Sequence, residues 1–288
     1  MKQTKLWMLA AILVCGTNIL TSCTSDNDDN PVVPTDEVEA QLQKMTLREK
    51  VGQLFYVRPE CLDTTIHFNL PSSVDVSSDD IREIKLQAVT ATMRGVNEKY
   101  PVGGVILYAH NIDDEAQLSA FISQIRALNG SPLLCIDEEG GRVARIANNA
   151  NFDVEKFESM EAIGATGDPQ NAYYCANTIG TYLHRYGFDI DFAPVADVNT
   201  NPENIIITDA MEMGAITLQY TNAEAAVGTL QAGADIVLGP QNFVEAFDAV
   251  VKAVEDDVLT EQRIDQSVRR ILKLKRQIKN KYNGGNNR

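Results

Sequence analysis

The chain has 288 residues, 44% of them apolar and 23% charged, an ordinary globular composition long enough for one large domain or two small ones. Its formal charge is −15, from 40 acidic residues against 25 basic ones. So acidic a chain excludes nucleic acid and anionic membrane faces as partners, because binding phosphate needs clustered Lys and Arg.

At the N-terminus, Lys2 and Lys5 precede the apolar run "LWMLAAILVCG" and then small residues before Cys23. The apolar core is too short for a membrane span and has the layout of a secretory signal. Leu20-Thr21-Ser22-Cys23 resembles the lipobox of bacterial lipoproteins. That resemblance implies cleavage after residue 22, lipidation of Cys23, and export to the outer membrane or cell surface of a Gram-negative bacterium. The plainer alternative is an ordinary signal peptide with an incidental Cys. Residues 23–44 are polar, acidic and proline-bearing, which predicts a flexible tether. Cys61, Cys135 and Cys175 form neither a metal-ligand spacing nor an even framework, so no metal site is expected. Cys135 sits in an apolar strand pattern, as a buried inert thiol would.

From Met45 the pattern alternates. A capped helix start runs into a strand at 53–57, and an irregular, Ser- and Asp-rich stretch follows from Arg58 to Asp80. Helical spacing covers 80–100, a glycine-entered apolar strand 102–108, and an amphipathic helix runs on to Gly130. A strand at 132–137 leads into a Gly-Gly turn, and a helix at 170–186 precedes a strand at 189–195. Strands at 204–209 and 234–239 flank a helix at 223–233. Two closing helices start at Asn242 and Thr260, the second carrying the basic run Arg269 to Lys281 on its polar face. Alternation of this kind, with carboxylates at strand ends, predicts a (β/α) barrel or a doubly wound parallel sheet. The six strands are two short of an eight-stranded barrel. The strands at 189–195 and 204–209 also follow each other too closely, because parallel neighbours need a crossover of about a dozen residues.

Three blocks carry a resemblance: "PLLCIDEEGGRVARI" (132–146), "GFDIDFAPVADVNTNP" (187–202) and "IIITDAMEMGAI" (205–216). Together with "GADIVLGP" and "IDQSVRRILKLK" they resemble glycoside hydrolase family 3 in its β-N-acetylhexosaminidase branch, over residues 45–283. The resemblance implies a TIM-type (β/α) barrel acting without a cofactor. Its implied reaction is retaining hydrolysis of terminal β-linked N-acetylglucosamine in glycans or peptidoglycan fragments. Asp209 is the implied nucleophile, and Asp137 and Arg145 the implied contacts to sugar hydroxyls. Between Pro202 and Ile205 family members carry more chain. It includes an Arg that contacts sugar and a Lys-His-Phe-Pro-Gly-His-Gly run whose second His works with an Asp as general acid/base. The resemblance therefore implies about two missing βα units, roughly 60 residues.

The acid role then has no clear owner. His67 falls in the irregular stretch and His184 in a helix, both as surface residues. His110 follows a strand at the functional rim and is the least implausible substitute. Glu139 reads as holding the Glu-Gly-Gly turn, Glu212 as favouring the N-terminus of a following helix, and Met211 and Met213 as apolar filling. Losing general acid catalysis costs about 100- to 10,000-fold. The alternative function is therefore a non-catalytic sugar-binding remnant or decayed fragment of such an enzyme.

Overall fold

A computed structural model describes residues 35–66, 85–194 and 205–285. Cys23, His67 and Asp197 lie outside them, as does most of the junction before Ile205. Continuous apolar runs become fully buried parallel strands: β1 (Phe55–Val57), β2 (Gly104–Leu107) and β3 (Leu133–Ile136). β3 is followed by a small antiparallel hairpin of β4 (Glu138–Gly140) and β5 (Val143–Ala144). β6 (Ile190–Asp191) and β7 (Val237–Leu238) complete the main sheet, whose order is β6-β3-β2-β1-β7, all parallel. Beyond β7 the sheet gains one more parallel contact, the isolated bridge Ile207 to Ile236. The result is an α/β fold with a curled parallel sheet forming a half-barrel. The predicted strand at 204–209 is thus reduced to a single bridge, and the one at 189–195 to two residues within the described part.

The helices are α1 (Thr35–Leu42), α2 (Leu47–Gln53), α3 (Ala91–Lys99), α4 (Glu115–Arg126), α5 (Met160–Ala165) and α6 (Pro169–Tyr186). After Ile207 come α7 (Gly214–Thr217), α8 (Asn222–Gln231), α9 (Phe243–Glu255) and α10 (Glu261–Gly285). Their starts follow side-chain caps: Thr46 and Glu49 form a reciprocal box on α2, and Asp114, Asp168 and Asn242 cap α4, α6 and α9. α6 ends on Gly187 at φ 91°, which only glycine adopts without strain. The helix expected over 80–100 starts later, because the Thr90 side chain caps it by accepting from Met93 N. α4 likewise stops at Arg126, short of Gly130.

The two faces of β1 show how the core divides. Phe55 packs outward against Phe243 and Phe247 of α9, with ring centroids 5.5 and 5.7 Å away. Tyr100 closes the same aromatic cluster, over which the Arg48 guanidinium lies 4.8–4.9 Å from two ring centres. Tyr56 points the other way, into the curl, where Gly104 leaves room for it. A Cβ at Gly104 would come within 2.6 Å of the Tyr56 ring. Cys135 is fully buried and burial pushes its thiol well up, as an inert core cysteine requires.

Candidate active site

Because the strands run parallel, their C-terminal ends gather on one rim, where barrel folds carry their chemistry. Arg58 and Glu60 follow β1, Tyr108 and His110 follow β2, Asp137 and Glu138 follow β3, and Asp209 follows the Ile207 bridge.

Asp137 and Arg145, both expected to contact sugar, meet directly: Arg145 Nη2 donates to Asp137 Oδ2 at 2.9 Å. Each side chain stays about a quarter exposed, so both can reach a ligand. The hairpin brings them together. Gly140 and Gly141 turn it at φ 84° and 66°, where a Cβ on Gly141 would strike the Glu158 carbonyl at 2.7 Å. Its clamp is Glu138 rather than the expected Glu139. The buried Glu138 carboxylate accepts from the backbone N–H groups of Arg145, Ile146 and Ala147 and from the Tyr182 hydroxyl. Glu138→Ala is expected to cost about 3 kcal/mol, since three buried N–H groups lose their acceptor. A thermal melt of the variant would check this.

A second cluster was not legible in the sequence. The Arg58 side chain, 2% exposed, places Nη2 2.8 Å from Glu212 Oε2. Glu212 is therefore buried and ion-paired, not the N-terminal residue of a helix; α7 begins only at Gly214. Glu60, 1% exposed, takes His110 Nε2 at 3.0 Å and Asn111 Nδ2 at 2.6 Å on one oxygen. Burial lifts the Glu212 carboxyl from 4.5 to about 7, against the pull of Arg58 and with the push of Glu60. Burial likewise lifts Asp191, whose carboxylate accepts from Glu138 N, from 3.8 to about 7.

A carboxyl raised in the folded state holds more protons folded than unfolded between those two values. Stability therefore falls as pH rises from about 4.5 to about 7 on account of Glu212. Glu212→Gln should flatten that part of the curve of Tm against pH, and a series of melts would read it.

Asp209 sits on the same rim but is exposed, and its carboxylate accepts from Ala210 N at 2.7 Å. The segment carrying it is pinned to β7: Thr208 N donates to Ile236 O, Met211 N to Leu238 O, and Leu238 N to the Thr208 hydroxyl. Met211 packs on the core while Met213 is 42% exposed, so only the first fills the interior as expected. His184 is exposed on α6, as read from sequence. An apolar groove of about 700 Å³ opens beside β6, between α5 and α6, lined by Met160, Ile163, Cys175, Ile179, Asp191 and Pro194.

The profile of the glycosyl hydrolase family 3 N terminal domain matches this chain over residues 46–206 and again over 203–274, so the chain belongs to that family. Among curated proteins, beta-hexosaminidase A of Pseudoalteromonas piscicida is 36% identical over 118 residues, covering 38% of this chain and 19% of that protein. The beta-hexosaminidase of Thiobacillus denitrificans is 38% identical over 112 residues, covering 36% of this chain and 30% of the relative. The matched region thus spans less than a third of either relative's length. Among solved structures, a family 3 beta-N-acetylglucosaminidase from Paenibacillus aligns with a TM-score of 0.62 at 22% identity, covering 81% of this chain and 63% of that one. A family 3 member from Mycobacterium smegmatis aligns at 0.60 and 16% identity, covering 81% and 98%. At such identities these likenesses speak for the fold.

Proposed function

We propose that this chain is a β-N-acetylhexosaminidase-type retaining glycoside hydrolase. In this reading Asp209 is the nucleophile and the Asp137–Arg145 pair holds sugar hydroxyls. The observation that carries it is the meeting of Arg145 and Asp137 on the rim that also bears Asp209, in a chain whose relatives are beta-hexosaminidases. Asp209 at a strand end can reach an anomeric carbon, and an Arg–carboxylate pair can share hydrogen bonds with adjacent hydroxyls.

The same reading includes the loss of about two βα units between Pro202 and Ile205. Consecutive parallel strands normally lie side by side. Here β6 and the Ile207 bridge are consecutive among the described elements yet occupy opposite edges of the sheet. The two family matches also meet at residues 203–206. Both observations support a piece taken out at the junction.

Partial coverage of its relatives supports a second reading, a sugar-binding remnant without turnover. Hydrolysis of an aryl β-N-acetylglucosaminide by the purified full chain separates the two. Turnover is expected if the first is right, since an aryl leaving group needs little protonation. No turnover from a chain that melts cooperatively and binds N-acetylglucosamine would favour the remnant. We place the protein at the surface of the outer membrane through lipidation of Cys23, which labelling with a fatty acid and its loss in Cys23→Ala would test.

A further inference from the structure

We propose that His110, held by Glu60, is the proton donor and acceptor of this site. The proposal rests on the hydrolase reading above and supplies the role that reading leaves vacant. His110 Nε2 lies 3.0 Å from Glu60 Oε1, and that carboxylate is itself fixed. Asn111 Nδ2 donates to the same oxygen at 2.6 Å and to Leu86 O at 2.9 Å, while Asn111 Oδ1 accepts from Tyr108 N. With Nε2–H committed to Glu60, the exchangeable proton belongs on Nδ1, which has no hydrogen-bond partner among the described residues. The imidazole is 13% exposed, enough for one edge to meet a ligand.

The His110 ring stacks on Tyr108 with centroids 6.0 Å apart, and the Arg145 guanidinium sits 5.5 Å from the same Tyr108 ring. Tyr108 therefore neighbours both His110 and the Arg145 of the Asp137–Arg145 pair. The charged groups around His110 are Glu60, Glu212 and Arg58, with Arg145 and Asp137 beyond Tyr108. Arg58 pairs with Glu212, and Glu60 takes the His110 ring and the Asn111 amide. β2 lies three strand spacings from the Ile207 bridge, ~14 Å along the sheet.

In the first step an Asp209 carboxylate oxygen bonds to the anomeric carbon as the bond from that carbon to the leaving oxygen breaks, and His110 Nδ1 passes its proton to that oxygen. In the second, water attacks the anomeric carbon, His110 takes the water's proton back, and the Asp209 carboxylate departs.

A histidine that merely braced the loop would matter equally for every substrate. The test therefore compares the full chain and its His110→Gln variant on chitobiose and on a dinitrophenyl β-N-acetylglucosaminide, whose leaving group needs no proton. The variant should lose about 100-fold or more in kcat/KM on chitobiose while its kcat/KM on the dinitrophenyl substrate, which reports only formation of the glycosyl-enzyme, hardly changes. The basic limb of the pH profile on chitobiose should vanish with it. Equal loss on both substrates, or a parent chain that cleaves only the dinitrophenyl substrate, overturns the role of His110 and leaves the hydrolase reading standing. A parent chain that cleaves neither overturns both. If the Gln variant fails to melt cooperatively, His110→Asn carries the same comparison.

Discussion

Asp235→Ala is expected to lose about 3–5 kcal/mol of folding stability, because it removes one side of a buried charge network and strands the other. The Asp235 side chain is fully buried. One oxygen accepts from Arg270 Nη2 at 2.7 Å and from the Ser267 hydroxyl; the other accepts from Arg270 Nε at 3.1 Å and from Ile206 N at 3.0 Å. Arg263 Nη1 stands 3.9 Å away as a second cation. A single carboxylate thereby ties α10 to the start of β7 and to the segment that leads to Asp209. Its loss leaves the partly buried Arg270 without this carboxylate and the Ile206 amide without its acceptor. Tm should fall by roughly 10 °C, and a urea titration should show the lower midpoint with an unchanged slope. Asp235→Asn, which keeps the shape and one acceptor, should lose less.

The second large effect is chemical. Asp209→Asn is expected to lower turnover of an aryl β-N-acetylglucosaminide on the order of 10,000-fold, since an amide cannot form and release a glycosyl ester as a carboxylate does. It should leave the melt nearly unchanged. Asp209 is exposed, and its described hydrogen bond, from Ala210 N, is one that an Asn carbonyl can also accept. Lost rate with retained stability separates a reacting group from a bracing one. Asp235 shows the opposite pattern, because it is buried and multiply bonded.

Much of the fold was legible because buried parallel strands are written as unbroken apolar runs and capped helices announce their first residue. "LLCI" and "GVIL" fell where they were expected, as did α6 between Asp168 and Gly187. The short helices α5 and α7 escaped because four to six residues carry too little periodicity to register. In the site, the local motif around the Gly-Gly turn pointed to Asp137 and Arg145, and their contact followed from the hairpin. It could not say which of two adjacent glutamates turned inward; strand alternation buried Glu138 and left Glu139 partly exposed. Arg58 with Glu212 and Glu60 with His110 join parts of the chain far apart in sequence. Only sheet order, with β1 between β2 and β7, brings them together. A charged residue directly after an apolar strand was the one available signal, and Arg58 had it.

The most direct test of the proposed chemistry is mass spectrometry of the intact chain after incubation with a fluorosugar that forms the glycosyl ester quickly and hydrolyses it slowly. One N-acetylglucosamine-derived adduct per chain is predicted, carried on the peptide that contains Asp209 and absent from Asp209→Asn. An adduct on another residue, or none from a cooperatively folded chain, would contradict Asp209 as the nucleophile.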